Sequence, residues 1–211
     1  IPVFEKKLTL IQKKKRSWNI DDKNFWSKYF VDTEILRKFG VEPISHYWIN
    51  GSRFTCKSIT YAYKFGDKFK IYAPYEKENK WTSNTNKNII QGYQQLPNKG
   101  DFCIITSSLK DVMCLFKMGI PAVALQSEMQ MPEEKMIKEI KNRFKKVALF
   151  YDNDFDNPNN PGQTMANKIC KKYNIFNNIK IPENYKIKDL SDYIAHFKST
   201  KGLETLIRIQ T

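Results

Sequence analysis

Long apolar runs are missing from this sequence of 211 residues. No stretch approaches the roughly 20 consecutive apolar residues that cross a bilayer, which excludes a transmembrane helix and a membrane partner of that kind. No signal peptide is present, and the chain begins Ile1-Pro2 rather than with Met, as expected of a fragment or a trimmed chain. Cysteine is scarce: Cys56, Cys103, Cys114 and Cys170 include no Cys-x-x-Cys pair, so the close ligand pairs of a structural zinc site are lacking. Cys103 and Cys114 sit in apolar runs and read as reduced, buried thiols of a cytoplasmic protein. Histidine is scarcer still. His46 and His196 lie far apart in sequence, which argues against histidine-based catalysis. Internal repeats and low-complexity linkers are absent as well.

What is present is a core and a large positive charge. Hydrophobic residues make up 41% and aromatics 14%, enough to fill an interior. The formal net charge is +14, an excess that points to a polyanionic partner, nucleic acid or an anionic membrane surface. Residues 1–98 carry 18 Lys/Arg against 9 Asp/Glu, and residues 99–211 carry 18 against 13. The excess therefore leans to the front, and the carboxylate clusters lie at the back. The turn-rich break Leu96-Pro97-Asn98-Lys99-Gly100 marks an expected boundary between a basic domain at 1–98 and a second domain at 99–211.

In the front part, Asp21-Asp22 before Phe25-Trp26 predicts a helix start, and Thr33 is an apt N-cap for a short helix that Gly40 ends. Strand-like runs follow at 46–49, 58–65 and 68–73, with turns at Asn50-Gly51 and Gly66-Asp67. The last two runs predict a hairpin. Tyr61, Tyr63 and Phe65 alternating with Ala62 and Lys64 predict a half-buried sheet. The back part alternates strand and helix: strands at 102–106, 122–125 and 147–151, helices at 109–118, 132–144 and 163–173. That pattern predicts an α/β fold with a parallel sheet flanked by helices, preceded by a smaller basic α+β subdomain. In such sheets chemistry collects at the carboxyl ends of the strands.

The sharpest local feature is Tyr151-Asp152-Asn153-Asp154-Phe155-Asp156, directly after a buried strand. In extended chain Asp152 and Asp154 point the same way and can share one site. Two carboxylates that close repel unless a cation lies between them, and hard oxygen ligands suit Mg²⁺ or Mn²⁺. As plain structure, the same residues form a polar loop leading into Asn157-Pro158-Asn159-Asn160-Pro161-Gly162. A second cluster, Lys188-Asp189-Leu190-Ser191-Asp192, reads on its own first as a helix cap with a first-turn acid, and second as a further acidic site. A third, Thr106-Ser107-Ser108-Leu109-Lys110-Asp111, lies where the first strand turns into the first helix. Its backbone N–H groups can face a phosphate, or its serines can simply cap the helix.

In this order and on this framework, these pieces resemble a Toprim domain, the metal-dependent catalytic fold of bacterial-type primases, topoisomerases and some nucleases. Asp152 and Asp154 match the family's Asp-x-Asp. Asp189 and Asp192 resemble its further acidic pair, one residue wider than usual, and Asp111 matches an aspartate on the first helix. The family's Glu-Gly after the first strand is replaced by Ser107 and Ser108. That glutamate is usually treated as general acid or base, so its loss puts the standard mechanism in question. Glu128, in Gln126-Ser127-Glu128 after the second strand, is a substitute carboxylate, and Asp156 is another. The front part is similar to the primase branch: Phe69-Lys70-Ile71-Tyr72-Ala73-Pro74 resembles its strand-then-proline element. Lys80-Trp81-Thr82-Ser83-Asn84-Thr85 with Gln91-Gly92-Tyr93 resembles its Lys-Tyr-Leu-Asn-Ser stretch and following segment. The wording around Ser107 and Asp152 is most like primases of bacteriophages, and the resemblance implies a cytoplasmic protein, in the bacterial host if phage-encoded. The 211 residues contain neither the zinc-binding module nor the helicase or helicase-binding domain that such primases often carry.

The resemblance implies a DNA primase core that joins ribonucleoside triphosphates on a single-stranded DNA template, with a replicative helicase as a further partner. It implies Asp152, Asp154, Asp189, Asp192 and Asp111 as ligands of Mg²⁺ or Mn²⁺. The catalytic set would be Asp152, Asp154, Glu128 and Ser107. Nucleotide or DNA would meet Lys68, Lys70, Lys80, Trp81, Ser108 and Lys110, with Lys13 to Arg16 and Lys64 as further phosphate contacts and Tyr72 and Tyr75 as further stacking surfaces. Core packing is the ordinary role of each aromatic. A Toprim nuclease using the same aspartates, and a catalytically inactive nucleic-acid binder, are the alternatives.

Overall fold

A computed structural model describes residues 9–211; the first eight residues of the expected front domain lie outside the described residues. The chain forms two compact units. One takes in the chain up to Asn24 together with Leu36–Asn86, and the other Phe25–Ile35 together with Lys87–Thr211.

The first unit is an antiparallel sheet. Its strands are β1 (Ile11–Lys15), β2 (Val41–Ile49), β3 (Ser52–Thr55), β4 (Tyr61–Phe65), β5 (Lys68–Tyr72) and β6 (Trp81–Ser83), in the order β1-β2-β4-β5-β6, with β3 also paired to β2. Two short helices, α1 (Ile20–Ser27) and α2 (Thr33–Lys38), interrupt it in sequence. Asn50 and Gly51 both adopt positive φ (48° and 86°), the geometry of a two-residue hairpin turn, and join β2 to β3. Gly66, at φ 63°, turns β4 into β5, and the expected hairpin pairs Tyr61 with Tyr72 through to Phe65 with Lys68. The expected half-buried alternation does not hold along β4. Ala62 is as fully buried as Tyr61 and Tyr63, because it packs with Ile11, Ile44 and Ile71 on the opposite face; only Lys64 stays exposed. Nor does Thr33 cap α2: the Asp32 carboxylate accepts from the N–H groups of Glu34 (3.0 Å) and Ile35 (2.9 Å).

The basic run Lys13–Arg16 is largely engaged within the fold. Lys13 and Lys15 both reach the Glu42 carboxylate. Arg16 donates twice to Asp22 (2.6 and 2.8 Å), whose side chain is fully buried. Burial alone raises a carboxyl pKa; the hydrogen bonds from Arg16 and from the Asn19 N–H outweigh it and hold Asp22 below the usual carboxylate range.

The second unit is a four-stranded parallel sheet, β10-β9-β7-β8, built from β7 (Gly100–Thr106), β8 (Ala122–Ala124), β9 (Phe144–Phe150) and β10 (Asn177–Asn178). Its helices are α3 (Leu109–Lys117), α4 (Glu134–Arg143), α5 (Pro161–Tyr173), α6 (Leu190–Phe197) and α7 (Lys201–Gln210). The inner strand β7 is apolar from Phe102 to Ile105, with Cys103, Ile104 and Ile105 fully buried, as a strand covered on both faces must be. Ile140 of α4 and Ala166 and Ile169 of α5 close one core with Ile105, Val123 and Leu149. The helix expected to end at Phe144 stops at Arg143, and β9 begins on the next residue with no loop between. Asn160 caps α5 and Pro161 opens it, two residues before the expected start; a proline at the first helical position loses no hydrogen bond. All four cysteines are free, Cys103 and Cys114 buried. Among the described residues no helix is long and apolar enough to cross a membrane.

Candidate active site

Every strand of the parallel sheet runs the same way, so the segments that follow β7, β8, β9 and β10 emerge at one edge. Those segments carry Ser107 and Ser108, Glu128, Asp152 and Asp154, and Asp189 with Asp192. The convergence is thus a product of strand direction.

Asp152 is the electrostatic centre. Its carboxyl is pushed up to about 8 by burial first, then by the negative charges of Asp189, Asp111 and Glu128. The Asp152 N–H donates to Ser107 Oγ (3.1 Å) and to Glu128 Oε1 (3.1 Å), and Ser107 Oγ donates to the same Glu128 oxygen (3.2 Å). Glu128, after β8, therefore rests its carboxylate beside the serine that follows β7. Burial raises its pKa, against the pull of the Asp152 N–H and Ser107. Asp111 is buried at 2% exposure and pushed up to about 6, by burial first and then by Asp189. It receives Ser108 Oγ (2.6 Å) and the Ser191 N–H (3.2 Å), a contact that ties α3 to the start of α6.

The capping roles anticipated for the serines and acids are also real. Ser108 caps α3, and Asp189 caps α6 by accepting from the Asp192 N–H (2.6 Å) and Ser191 Oγ (2.7 Å). Asp154 pairs with Lys188, and the two line a cleft of about 470 Å³ with Asp156, Lys186, Asp192 and His196. Lys110 lies 4.6 Å from the centre of the Tyr29 ring and 3.9 Å from Asp192. The loop between β9 and α5 is held by side-chain amides. Asn153 donates to the Ile181 carbonyl (3.1 Å), Asn160 donates to Asn153 (2.8 Å) and accepts from the Asp154 N–H (3.0 Å), and Gln163 donates to the carbonyls of Tyr151 (3.0 Å) and Asp152 (3.2 Å). Sequence reasoning missed Asn153, Asn160, Gln163 and Lys188. The Asn160-Pro161 cap signature was the one available signal for this lattice.

Gly162 allows the first turn of α5 to touch the site. A methyl group there would collide with the Asp152 carbonyl and lie 2.5 Å from Glu128 Oε1. Gly162→Ala gains roughly 1 kcal/mol of helix propensity, but the clash is expected to cost more, for a net loss of about 1–2 kcal/mol. A lower urea midpoint with an unchanged m-value checks this; an unchanged or higher midpoint contradicts it.

No metal-binding group of three or more His, Cys, Asp or Glu side chains occurs among the described residues. The carboxylates do not form a closed cage. They are instead a crowded set whose mutual repulsion shows in Asp152. That donor set fits Mg²⁺ or Mn²⁺, which take one or two carboxylates and complete their shells with water and substrate phosphates.

The remaining expected contacts belong to the first unit. Trp81 stacks on Tyr72 (4.2 Å between ring centres, 16° between planes) and remains 40% exposed. Lys70 lies 4.7 Å from the Trp81 ring centre, Lys80 6.0 Å from that of Tyr72, and Lys68 pairs with Asp67 at 3.3 Å. Burial pushes Lys70 down to about 8. Charged burial therefore costs stability fully below pH 8, and the cost fades as pH rises toward the ordinary lysine value of 10.5, above which both states are neutral. Lys70→Met is expected to stabilise the protein by on the order of 2–3 kcal/mol at pH 7, with the gain vanishing near pH 10.5. Urea unfolding of both proteins across that range checks the slope.

No protein-family model matches the sequence, and no curated protein matches it. Solved structures do. The Aquifex aeolicus primase, comprising zinc-binding and RNA polymerase domains, superposes with a TM-score of 0.66 at 16% identity, over 92% of this chain and 56% of that one. The chain therefore spans little more than half of that protein's length. A DnaG primase catalytic domain bound to single-stranded DNA gives a TM-score of 0.62 at 12% identity, over 90% of this chain and 73% of that one. The primase fragment of the bacteriophage T7 primase-helicase protein gives 0.57 at 16% identity, over 100% and 82%. A parallel sheet flanked by helices, joined in sequence to an antiparallel sheet, is thus an arrangement already seen in solved proteins: this chain has the fold of bacterial and phage primase catalytic cores.

Proposed function

We propose that the protein is the catalytic core of a Toprim-type DNA primase, which makes short RNA primers on single-stranded DNA. The observation that carries this reading is the convergence of Asp152, Glu128, Asp111 and Asp189 at the carboxyl edge of the parallel sheet of a primase-core fold. Asp152 and Asp154 are the residues to hold Mg²⁺ or Mn²⁺, with Asp189, Asp192 and Asp111 in support. When bound, such an ion neutralises these carboxylates and polarises the phosphoryl oxygens of the nucleotide.

The reaction joins the 3′-oxygen of one nucleotide to the α-phosphorus of the next, and pyrophosphate leaves. In this reading Glu128 takes the 3′-hydroxyl proton. Ser107, hydrogen-bonded to it, holds that carboxylate in place. Lys188 and Lys186, facing the cleft beside Asp154, are positioned to neutralise the triphosphate. In the first unit, Lys80 and Trp81 are suited to a template phosphate and a template base, with Lys70 beneath the indole. The T7 relative's origin in a primase-helicase protein supports a replicative helicase as a partner.

Incubation with a single-stranded DNA template, the four ribonucleoside triphosphates and Mg²⁺ or Mn²⁺ tests the reading. New short RNA is expected. Template shortening without RNA would instead establish a nuclease, and binding without either product an inactive binder.

A further inference from the structure

The first unit has a second face that its role in the proposed primase does not yet explain. Cross-strand register places Gln12, Trp48 and Arg53 in one row and Lys14, His46 and Thr55 in the next. Directly opposed residues share a face, and rows two residues apart share the same one. The intervening row, Lys13, Tyr47 and Phe54, is on the other side: Tyr47 packs with the Ile11, Ile44, Ala62 and Ile71 cluster, and Lys13 turns to Glu42 and Phe69. The outer face is therefore open, with Gln12, Lys14, Arg53 and Thr55 exposed and His46 and Trp48 half-buried.

The charge on this face differs from its surroundings. Lys13, Lys15 and Arg16, the sequence neighbours of Lys14, are all matched to carboxylates. No ion pair to Lys14 or Arg53 occurs among the described residues. Instead both cations crowd His46, whose pKa is held below its usual value by burial and then by Arg53 and Lys14. Trp48 lies among them, its ring 6.4 Å from that of His46 at 32°. Unpaired cations around a half-exposed indole are the elements of a single-strand platform: cations for the backbone and a π-face for a base.

We infer that the outer face of β1, β2 and β3 is a docking surface for single-stranded DNA, with Lys14 and Arg53 on phosphates and Trp48 stacked on a base. It rests on the primase reading for the identity of the strand as template, and adds a contact surface to the one around Lys80 and Trp81.

Fluorescence anisotropy with a fluorescein-labelled oligo(dT) about 16 nucleotides long tests it. The Lys14→Ala/Arg53→Ala double variant is expected to bind at least about tenfold more weakly at low salt, with the slope of log affinity against log salt reduced by about 1.4. Trp48→Leu should weaken binding about fivefold or more at every salt concentration, with the slope unchanged. Lys168→Ala/Lys171→Ala, exposed positions on α5, removes the same charge and should leave both quantities as they were. In primer synthesis, the Lys14/Arg53 variant should raise the KM for template and keep kcat, which a misfolded protein would not do. Unchanged affinity and slope in that variant, while the parent protein makes primers, overturns the docking surface and leaves the primase reading intact. Face-dependent binding by a protein that makes no primer does the reverse. Equal dependence on these residues with a clear preference for oligo(rU) overturns the choice of DNA as the occupant.

Discussion

Asp152→Asn is expected to lower metal-dependent synthesis by about a thousandfold or more, the loss typical when a preorganised electrostatic group is removed from a reacting centre. The same change should raise the thermal stability of the metal-free protein. Asp152 is half-buried among Asp189, Asp111 and Glu128, and its proton is held to about 8 by burial and by those charges. Below pH 8 folding must place a proton on this carboxyl, a cost that asparagine avoids, and asparagine keeps the size and the backbone contacts. Saturating Mn²⁺ should then reverse the order. A ligand that binds only the folded state at a hundred times its Kd adds about 2.7 kcal/mol, worth several degrees for a chain of this length. That gain belongs to the parent protein and is largely lost in the variant. Synthesis rates together with melting curves, each with and without Mn²⁺, read all three outcomes. An Asp152→Asn protein that is less stable without metal, or still active with it, would remove the acid cluster as the site.

The second large effect concerns Glu128, proposed as the substitute for the carboxylate that the resemblance places after the first strand. Glu128→Gln keeps an oxygen to accept from Ser107 and from the Asp152 N–H, so the fold and the loop should survive. It removes the proton acceptor, and synthesis should fall by about 10²–10³. Glu128→Ala should fall at least as far. Because Ser107 Oγ is 3.2 Å from Glu128 Oε1, a longer acidic side chain at 107 can reach the vacated space. The Glu128→Ala/Ser107→Glu double variant is therefore expected to recover at least about tenfold over Glu128→Ala alone. Full activity in Glu128→Gln would assign Glu128 a supporting role only, and no recovery in the double variant would mean that the two positions do not serve one carboxylate.

Much of this protein is legible in its residues. Strand and helix alternate clearly after residue 100 because buried parallel strands are short apolar runs and their covering helices are amphipathic. Asp152 and Asp154 stood out because carboxylates follow directly on such a strand. Other parts left weak traces. The run Gln12–Lys15 is a strand made largely of lysine, whose partners on β2 supply the hydrogen bonds and the counter-charge of Glu42. Asn177–Asn178 is a strand of two polar residues, recognisable only beside Ala148 and Leu149. The amides that hold the β9–α5 loop read as ordinary loop composition, since Asn forms turns whether or not it holds a site.

Local order, then, was written in the chain itself: periodicity set the elements, and the residue types at strand ends named the candidate acids. Which of those acids meet was decided only in three dimensions. Glu128 lies 21 residues from Ser107 and Asp111 lies 80 from Ser191, and nothing local links either pair. Parallel strand direction and the register Ile104 with Ala122 and Ala148 bring their loops to one edge. The same holds for the basic residues. Lys13, Lys14, Lys15 and Arg16 look equivalent as a run, but β-sheet alternation and the positions of Glu42 and Asp22 pair three of them internally and leave Lys14 facing out on the same face as Arg53. Electrostatic roles depend on distance through space, and distance through space is what the tertiary fold sets.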